Sequence, residues 1–202
     1  LQGITEIMRK GLKSRSKVDA VYRMTHRDGR VLWFESNGKA VVGENGAVLG
    51  AVFSSREISD RKVIEDSLRM AHRQLAEIID FLPDATFVID RDKKVIAWNR
   101  SMEKMTGVAE GSMLGKGDYE YAIPFFGERR PILIDMLGKD AAAGGNQYLV
   151  FAREGDSVMA ESYIPSLPFT MKETYLRGKA SPLYDANGVV IGAIETDRDV
   201  TD

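Results

Sequence analysis

The 202-residue chain contains no cysteine and only two histidines, His26 and His72. Without cysteine there are no disulfides, no thiolate nucleophile and no thiolate metal site. That composition suits a reducing compartment, so a cytoplasmic location is expected, with the full-length protein free to be membrane-anchored. No apolar run approaches the roughly 20 residues of a membrane span, and no membrane contact is expected of this stretch. Neither charge sign dominates: 28 Lys and Arg face 30 Asp and Glu, a formal net charge of −2. The bases are scattered, which argues against a nucleic-acid partner. His26 stands at a strand end before a turn and reads as a surface residue. His72 lies on a predicted helix, but a phosphoaccepting histidine would be followed by an acid and soon by a proline. Here Arg73 follows, and the next proline is Pro83.

What the chain does have is an echo. Residues 46–60 (GAVLGAVFSSREISD) resemble residues 188–202 (GVVIGAIETDRDVTD); 188 minus 46 and 202 minus 60 both give 142. Gly38-Lys39-Ala40 resembles Gly178-Lys179-Ala180 at a shift of 140, which places two extra residues in the turn that follows in the second copy. A repeat this long indicates tandem domains, since solenoid periods run to roughly 20–50 residues. Only 45 residues precede Gly46, so the first copy is expected to be partial and the chain a piece of a longer protein.

Residues 4–12 have helical spacing through Ile4, Ile7, Met8 and Leu12. Strands are predicted over 21–26, 31–42 and 48–57, with Asp28-Gly29 as a two-residue hairpin signal. Ser59 or Asp60 is a candidate cap for the next helix. There Ile64, Leu68, Ala71, Leu75, Ile78 and Leu82 step by alternating fours and threes, a heptad seam. Two readings of that seam stay open: a helix lying on its own domain, or a dimeric coiled coil. Pro83 ends the helix. Strands follow over 85–90 and 95–99, and Asn99 is placed to cap a short helix over 100–105. Gly107, Gly111, Gly115 and Gly117 punctuate short helices and loops; they lack the Lys-Ser/Thr ending of a phosphate loop. Residues 130–137 read as a fuller helix, 141–145 as a flexible exit, and 148–153, 158–164, 173–183 and 189–198 as strands.

Strand pairs, short helices and a closing antiparallel meander make an α+β domain. With Asp90, the Trp98-Asn99 pair, Gly107, the run from Gly178 through Gly188, Gly192-Ala193-Ile194 and Asp199-Val200-Thr201, this order resembles the PAS sensor domain. The resemblance covers residues 78–202 as a whole domain and 4–60 as its last helix and final three strands. Tyr119 through Pro131 is similar to a subgroup common in prokaryotic signalling proteins. The implied organisation is a partial first domain over 1–60, a linker helix over 61–82 and a complete domain over 83–202. The implied fold is a five-stranded antiparallel sheet flanked by short helices. The implied role is a non-catalytic sensory or relay module of a larger prokaryotic signalling protein, such as a sensor histidine kinase, with its output domain elsewhere. The alternative is a dimerisation or scaffold module that binds no small molecule.

The resemblance also frames the candidate residues. Phe87, Trp98, Tyr119, Tyr121, Phe125 and Phe126 are expected to line a ligand pocket, with Arg129 and Arg130 clamping a carboxylate or phosphate. The competing reading is that the aromatics fill the core and the arginines face water. Cysteine-adduct flavin is not expected, and neither is haem, because residues 130–137 hold no histidine. A small organic ligand or non-covalent flavin is compatible with the sequence. Asp199 and Thr201, and more loosely Glu57 and Ser59, are expected to couple the sheet to a following helix. A homodimer is expected through the linker helix and the open edge of strand 48–57. Carboxylates such as Glu103, Glu110 and Glu120 read as solvated surface, and no acid–base or nucleophile set for an enzyme emerges.

Overall fold

The structure, a computed structural model, describes residues 17–139 and 147–201. The helix expected over 4–12 and the glycine-rich exit over 141–145 lie outside the described residues. The chain divides into two compact units, Leu1–His72 and Arg73–Asp202, each described by itself.

In the first unit β1 (Val18–Thr25), β2 (Val31–Val42) and β3 (Val48–Glu57) form an antiparallel sheet in that order. The first connection is longer than the Asp28-Gly29 signal implies. His26 N–H donates to Arg30 O and Arg30 N–H to the Asp28 carboxylate, so the loop closes on backbone and side-chain acceptors outside the ladder. α1 (Ser59–Asp80) begins directly after β3 and buries none of its residues. Ser59 Oγ does not cap that helix; it accepts the N–H of Trp33 at 3.0 Å.

The second unit carries β4 (Ala85–Asp90), β5 (Val95–Trp98), α2 (Arg100–Thr106), α3 (Glu110–Met113), α4 (Ile123–Phe126), β6 (Val150–Glu154), β7 (Ser157–Leu167), β8 (Lys172–Tyr184) and β9 (Val190–Asp199). Its sheet has the order β5-β4-β9-β8-β7-β6, every pair antiparallel. The sheet therefore has six strands rather than the expected five; β6 is added at the edge by the tight turn through Gly155, whose φ is 59°. The helix expected over 130–137 is a single 3-10 turn, Leu133–Met136, stopped by Gly138 at φ 72°. Its N-terminal amides are held by side chains: Asp135 accepts from Ile132 N–H and Glu195 from Ile134 N–H. The core lies between the helices and one sheet face, around Phe87, Trp98, Met102, Tyr121 and Val158.

Asn99 fixes how that unit begins. Its Oδ1 accepts Thr86 N–H and Met102 N–H, both at 2.9 Å, joining β4 to the first turn of α2. Its Nδ2 donates toward the carbonyls of Asp84, Ile79 and Leu82 at 3.0–3.3 Å, so the same amide closes the end of α1. Gly107 (φ 71°) ends α2 in the left-handed conformation expected of a glycine cap.

The two hairpins that close the units are equivalent bond for bond. β3 and β9 differ by 142 at both ends (190 minus 48, 199 minus 57). The register break at Val41/Val42 recurs at Leu183/Tyr184, and the turn bond Gly43 N–H to Ala47 O recurs as Asp185 N–H to Val189 O. The shift of 142 thus holds through β2 and β8 as well, and Gly38, opposite Phe53, corresponds to Ala180, opposite Glu195. The Gly-Lys-Ala echo at a shift of 140 is therefore out of register by two, and the turn after it has the same length in both copies. The two extra residues lie one connection earlier. Val18 opposite Gly38 corresponds to Val158 opposite Ala180, a shift of 140, so the β7–β8 connection is the longer one.

Asn99→Ala removes a helix cap and leaves the buried amides of Thr86 and Met102 without their acceptor. We expect it to cost roughly 2–4 kcal/mol in a denaturant titration, against under about 1 kcal/mol for the exposed-face control Lys104→Ala.

Candidate functional site

The period of two along β9 turns Ala193, Glu195 and Asp197 toward the helices. Both acids are almost fully buried, at 4% and 6% exposure. They border a narrow cavity of about 20 Å³, room for one water molecule. Phe125, Ile132, Leu133 and Leu176 supply its apolar wall, while Phe126, Tyr148 and Ser162 are half-buried. Gly178 on β8 makes the space: a Cβ there would stand 2.8 Å from Asp197 Oδ1 and 2.9 Å from Leu133.

Glu195 Oε2 accepts Ile134 N–H at 2.6 Å. Asp197 Oδ2 is buried and has no hydrogen-bond partner. Burial, and then the neighbouring Asp197, pushes the Glu195 carboxyl well above the usual carboxylate range, the Ile134 amide opposing. Burial, and then the charge of Asp84, pushes Asp197 up to about 7. Asp84 itself is held by a two-pronged contact from Arg198 Nε and Nη2, both at 2.8 Å. A third buried carboxylate, Asp135, is satisfied by Lys93 Nζ at 2.8 Å, Tyr121 O–H and Ile132 N–H. Burial and Asp135 raise the Tyr121 phenol, keeping it a donor.

Of the residues expected to line a pocket, the cavity is bordered by Phe125 and Phe126. Phe87, Trp98 and Tyr121 are packed in the core, with Phe87 against both other rings. Tyr119 packs edge-on to Tyr121 under the Lys93 ammonium. Arg129 is paired with Asp118 and Glu120. Arg130 lies over the Phe126 ring, 4.6 Å from its centroid, and its charge reaches Tyr148. Glu103 accepts the N–H of Glu110, and Glu120 also meets Lys116 at 3.6 Å, structural duties for two carboxylates read as surface. A wider cleft of about 370 Å³ opens beside the ends of β4 and β8, where Lys93 and Tyr184 are already engaged by Asp135 and Asp156.

The strand exits hold a second constellation. Tyr175 N–H donates to Thr201 Oγ1 at 3.0 Å, and Val200 N–H to Tyr175 O at 2.8 Å. Thr201 in turn donates its hydroxyl and its backbone N–H to Asp199 Oδ1. The first unit repeats the clasp: Trp33 N–H to Ser59 Oγ at 3.0 Å and Ile58 N–H to Trp33 O at 2.8 Å. Glu57 occupies the place of Asp199, but the carboxylate-to-hydroxyl bond is made in the second copy alone.

The buried acids predict a pH dependence. Folded Asp197 keeps its proton up to about 7, whereas an unfolded aspartic acid releases it near its ordinary 3.8. Its contribution to stability is therefore present below about 4 and lost as pH climbs to about 7. We expect the melting temperature to fall by several degrees from pH 5 to pH 8. Asp197→Asn should flatten that slope and melt higher than the parent at pH 8, as followed by circular dichroism.

A family profile described as PAS fold matches residues 79–202. Among curated proteins, a probable diguanylate cyclase, DgcE, of Escherichia coli (strain K12) is 22% identical over 203 residues, covering 100% of this chain and 17% of that protein. A blue-light-activated histidine kinase of Brucella ovis is 29% identical over 126 residues, 61% of this chain and 21% of the kinase. This chain thus spans about a fifth of the length of the curated relatives it matches. Among solved structures, the PAS domain of Bordetella pertussis BvgS is 16% identical at TM-score 0.42, covering 65% of this chain and 87% of that one. An RNA-binding light-oxygen-voltage receptor is 12% identical at TM-score 0.44, covering 99% and 82%. With the profile spanning more than half of its length, from the end of α1 through β9, this chain belongs to the PAS family.

Proposed function

We propose that the chain is the sensory and relay part of a larger signalling protein, with catalysis residing in an output domain elsewhere. The second unit is a whole PAS domain, and the first supplies the closing strands of a preceding one. One observation carries this reading. The hydroxyl clasp at a strand exit occurs twice, and in the first unit it falls at the junction of β3 with α1. A change in strand curvature bears first on that clasp, and the helix behind it is the element free to answer. Ser59 and Thr201 are the hinge residues, with Asp199 locking the second hinge.

The curated relatives, a cyclase and kinases, support a signalling context. The Brucella ovis kinase is blue-light-activated, but photochemistry through a cysteinyl adduct is closed to a chain without cysteine. A cavity of about 20 Å³ suits a ligand far smaller than a flavin, whose pockets run to several hundred Å³. The same small volume favours a second reading, a PAS scaffold that relays without binding anything. Among the described residues no helix is long and apolar enough to cross a membrane; we assign the module to the cytoplasm.

α1 is the proposed dimer contact. Ile64, Leu68, Leu75 and Ile78 of its seam are all more than half exposed, and a parallel coiled coil of two chains would cover them. Light scattering of the 202-residue chain should give a dimer, and Leu68→Lys with Leu75→Lys should give a monomer. Ser59→Ala should speed amide exchange at Trp33 and over residues 58–62 while leaving β4–β9 unchanged. In the full-length protein, Asp199→Ala with Thr201→Ala should abolish regulation of the output without abolishing its basal activity; unchanged regulation would remove the relay mechanism.

A further inference from the structure

The acid pair of β9 has no counterpart in the first unit. At the constant shift of 142, Glu195 corresponds to Phe53 and Asp197 to Ser55. Ser55 is satisfied there by Ser36 at 2.6 Å. The fold does not need carboxyls at these positions, and burying two of them carries a desolvation cost that an apolar phenylalanine and a hydrogen-bonded serine do not. Asp197 Oδ2 bears that cost with no donor in reach. The room beside it matches one water molecule, a size shared by an ammonium group. Around it are aromatic rings, Phe125, Phe126 and Tyr148, whose faces attract cations. The Phe126 ring already carries the Arg130 guanidinium at 4.6 Å.

We propose that this recess takes the ammonium head of a small cationic compound, with Asp197 and Glu195 as hydrogen-bond acceptors and the aromatic rings as its walls. The inference rests on reading the concave face of the second unit as the sensing site, and it names the ligand class: amines rather than carboxylates or phosphates. An anion would face two acids. A divalent metal would lack ligands, since among the described residues no group of three or more His, Cys, Asp or Glu is placed to hold one. The head enters as R–NH3+ and the acid it meets ionises, so one proton leaves to solvent for each ammonium bound. The charges that act on the pair are Asp135 on Glu195 and Asp84 on Asp197, which disfavour a second negative charge and favour a bound cation; Arg130 acts on Tyr148 beside them.

The test uses the whole 202-residue chain at pH 6, where Asp197 holds its proton, with methylammonium chloride, against sodium chloride and sodium acetate at equal ionic strength. Calorimetry should show saturable methylammonium binding whose heat varies with the buffer's ionisation enthalpy, reporting proton release. Thermal denaturation should show stabilisation by methylammonium alone. Asp197→Asn and Glu195→Gln should each weaken binding at least tenfold; Asp197→Ser, which installs the residue found at position 55, should do the same with the side chain that the equivalent strand of the first unit carries. Should the variants fail to fold, amide chemical shifts of the parent decide. Saturable movement at Ile134 and Gly178 supports the site, and movement elsewhere or none at all overturns it. Methylammonium indistinguishable from sodium, binding of acetate in its place, or variants that bind like the parent would each overturn it too. Because no output is read, such a failure leaves the relay role of Ser59 and Thr201 standing, and failure of that relay leaves the binding result intact.

Discussion

The second unit depends on one buried amide. Asn99 caps α2, pins β4 and closes the end of α1 with the same four-atom group. Without it the buried amides of Thr86 and Met102 would have no acceptor, which a well-packed core does not tolerate. Arg100 N–H to Asp80 and Ser101 O–H to Leu82 O reinforce the junction from the helix side. The end of α1 is therefore joined to α2 and β4 by directional bonds.

Much of this was legible in the sequence because its signals are local. Asn99 ahead of a short amphipathic run is a cap signal, and it caps. The strands over 31–42, 48–57 and 85–90 carry β-branched residues bounded by turn signals, and they fall where expected. Residues 130–137 misled because Pro131 and the apolar spacing imitate a helix start, while one of the two carboxylates that hold the segment as a 3-10 turn, Glu195, comes from tertiary contact. The Gly-Lys-Ala echo misled because a slip of two preserves the facing of every side chain in a strand, so composition alone does not reveal it.

The candidate site was less legible. Bulky aromatics advertise a pocket, but Phe87, Trp98 and Tyr121 are spent on the core. The polar lining came from Glu195 and Asp197, which sit in a run, Glu-Thr-Asp-Arg-Asp, that looks like solvated strand. Two cues pointed inward: the alternation continuing from Ala193, and the apolar Phe53 in the position equivalent to Glu195. Burial then changes what these acids are, from anions that water supports into neutral groups awaiting a donor.

The extra pair of residues in the β7–β8 connection bears on how this sheet tolerates change. An even insertion returns every later side chain to its original face, and the hairpin beyond it keeps the bulge, turn and clasp of the shorter version. The β7–β8 pairing also absorbs a single odd step, the register shift between Ile164 and Leu167, and Leu176 and Ala180 stay buried beyond it. Extra length is thus taken up at the bend itself, and the strand behind it keeps its buried face.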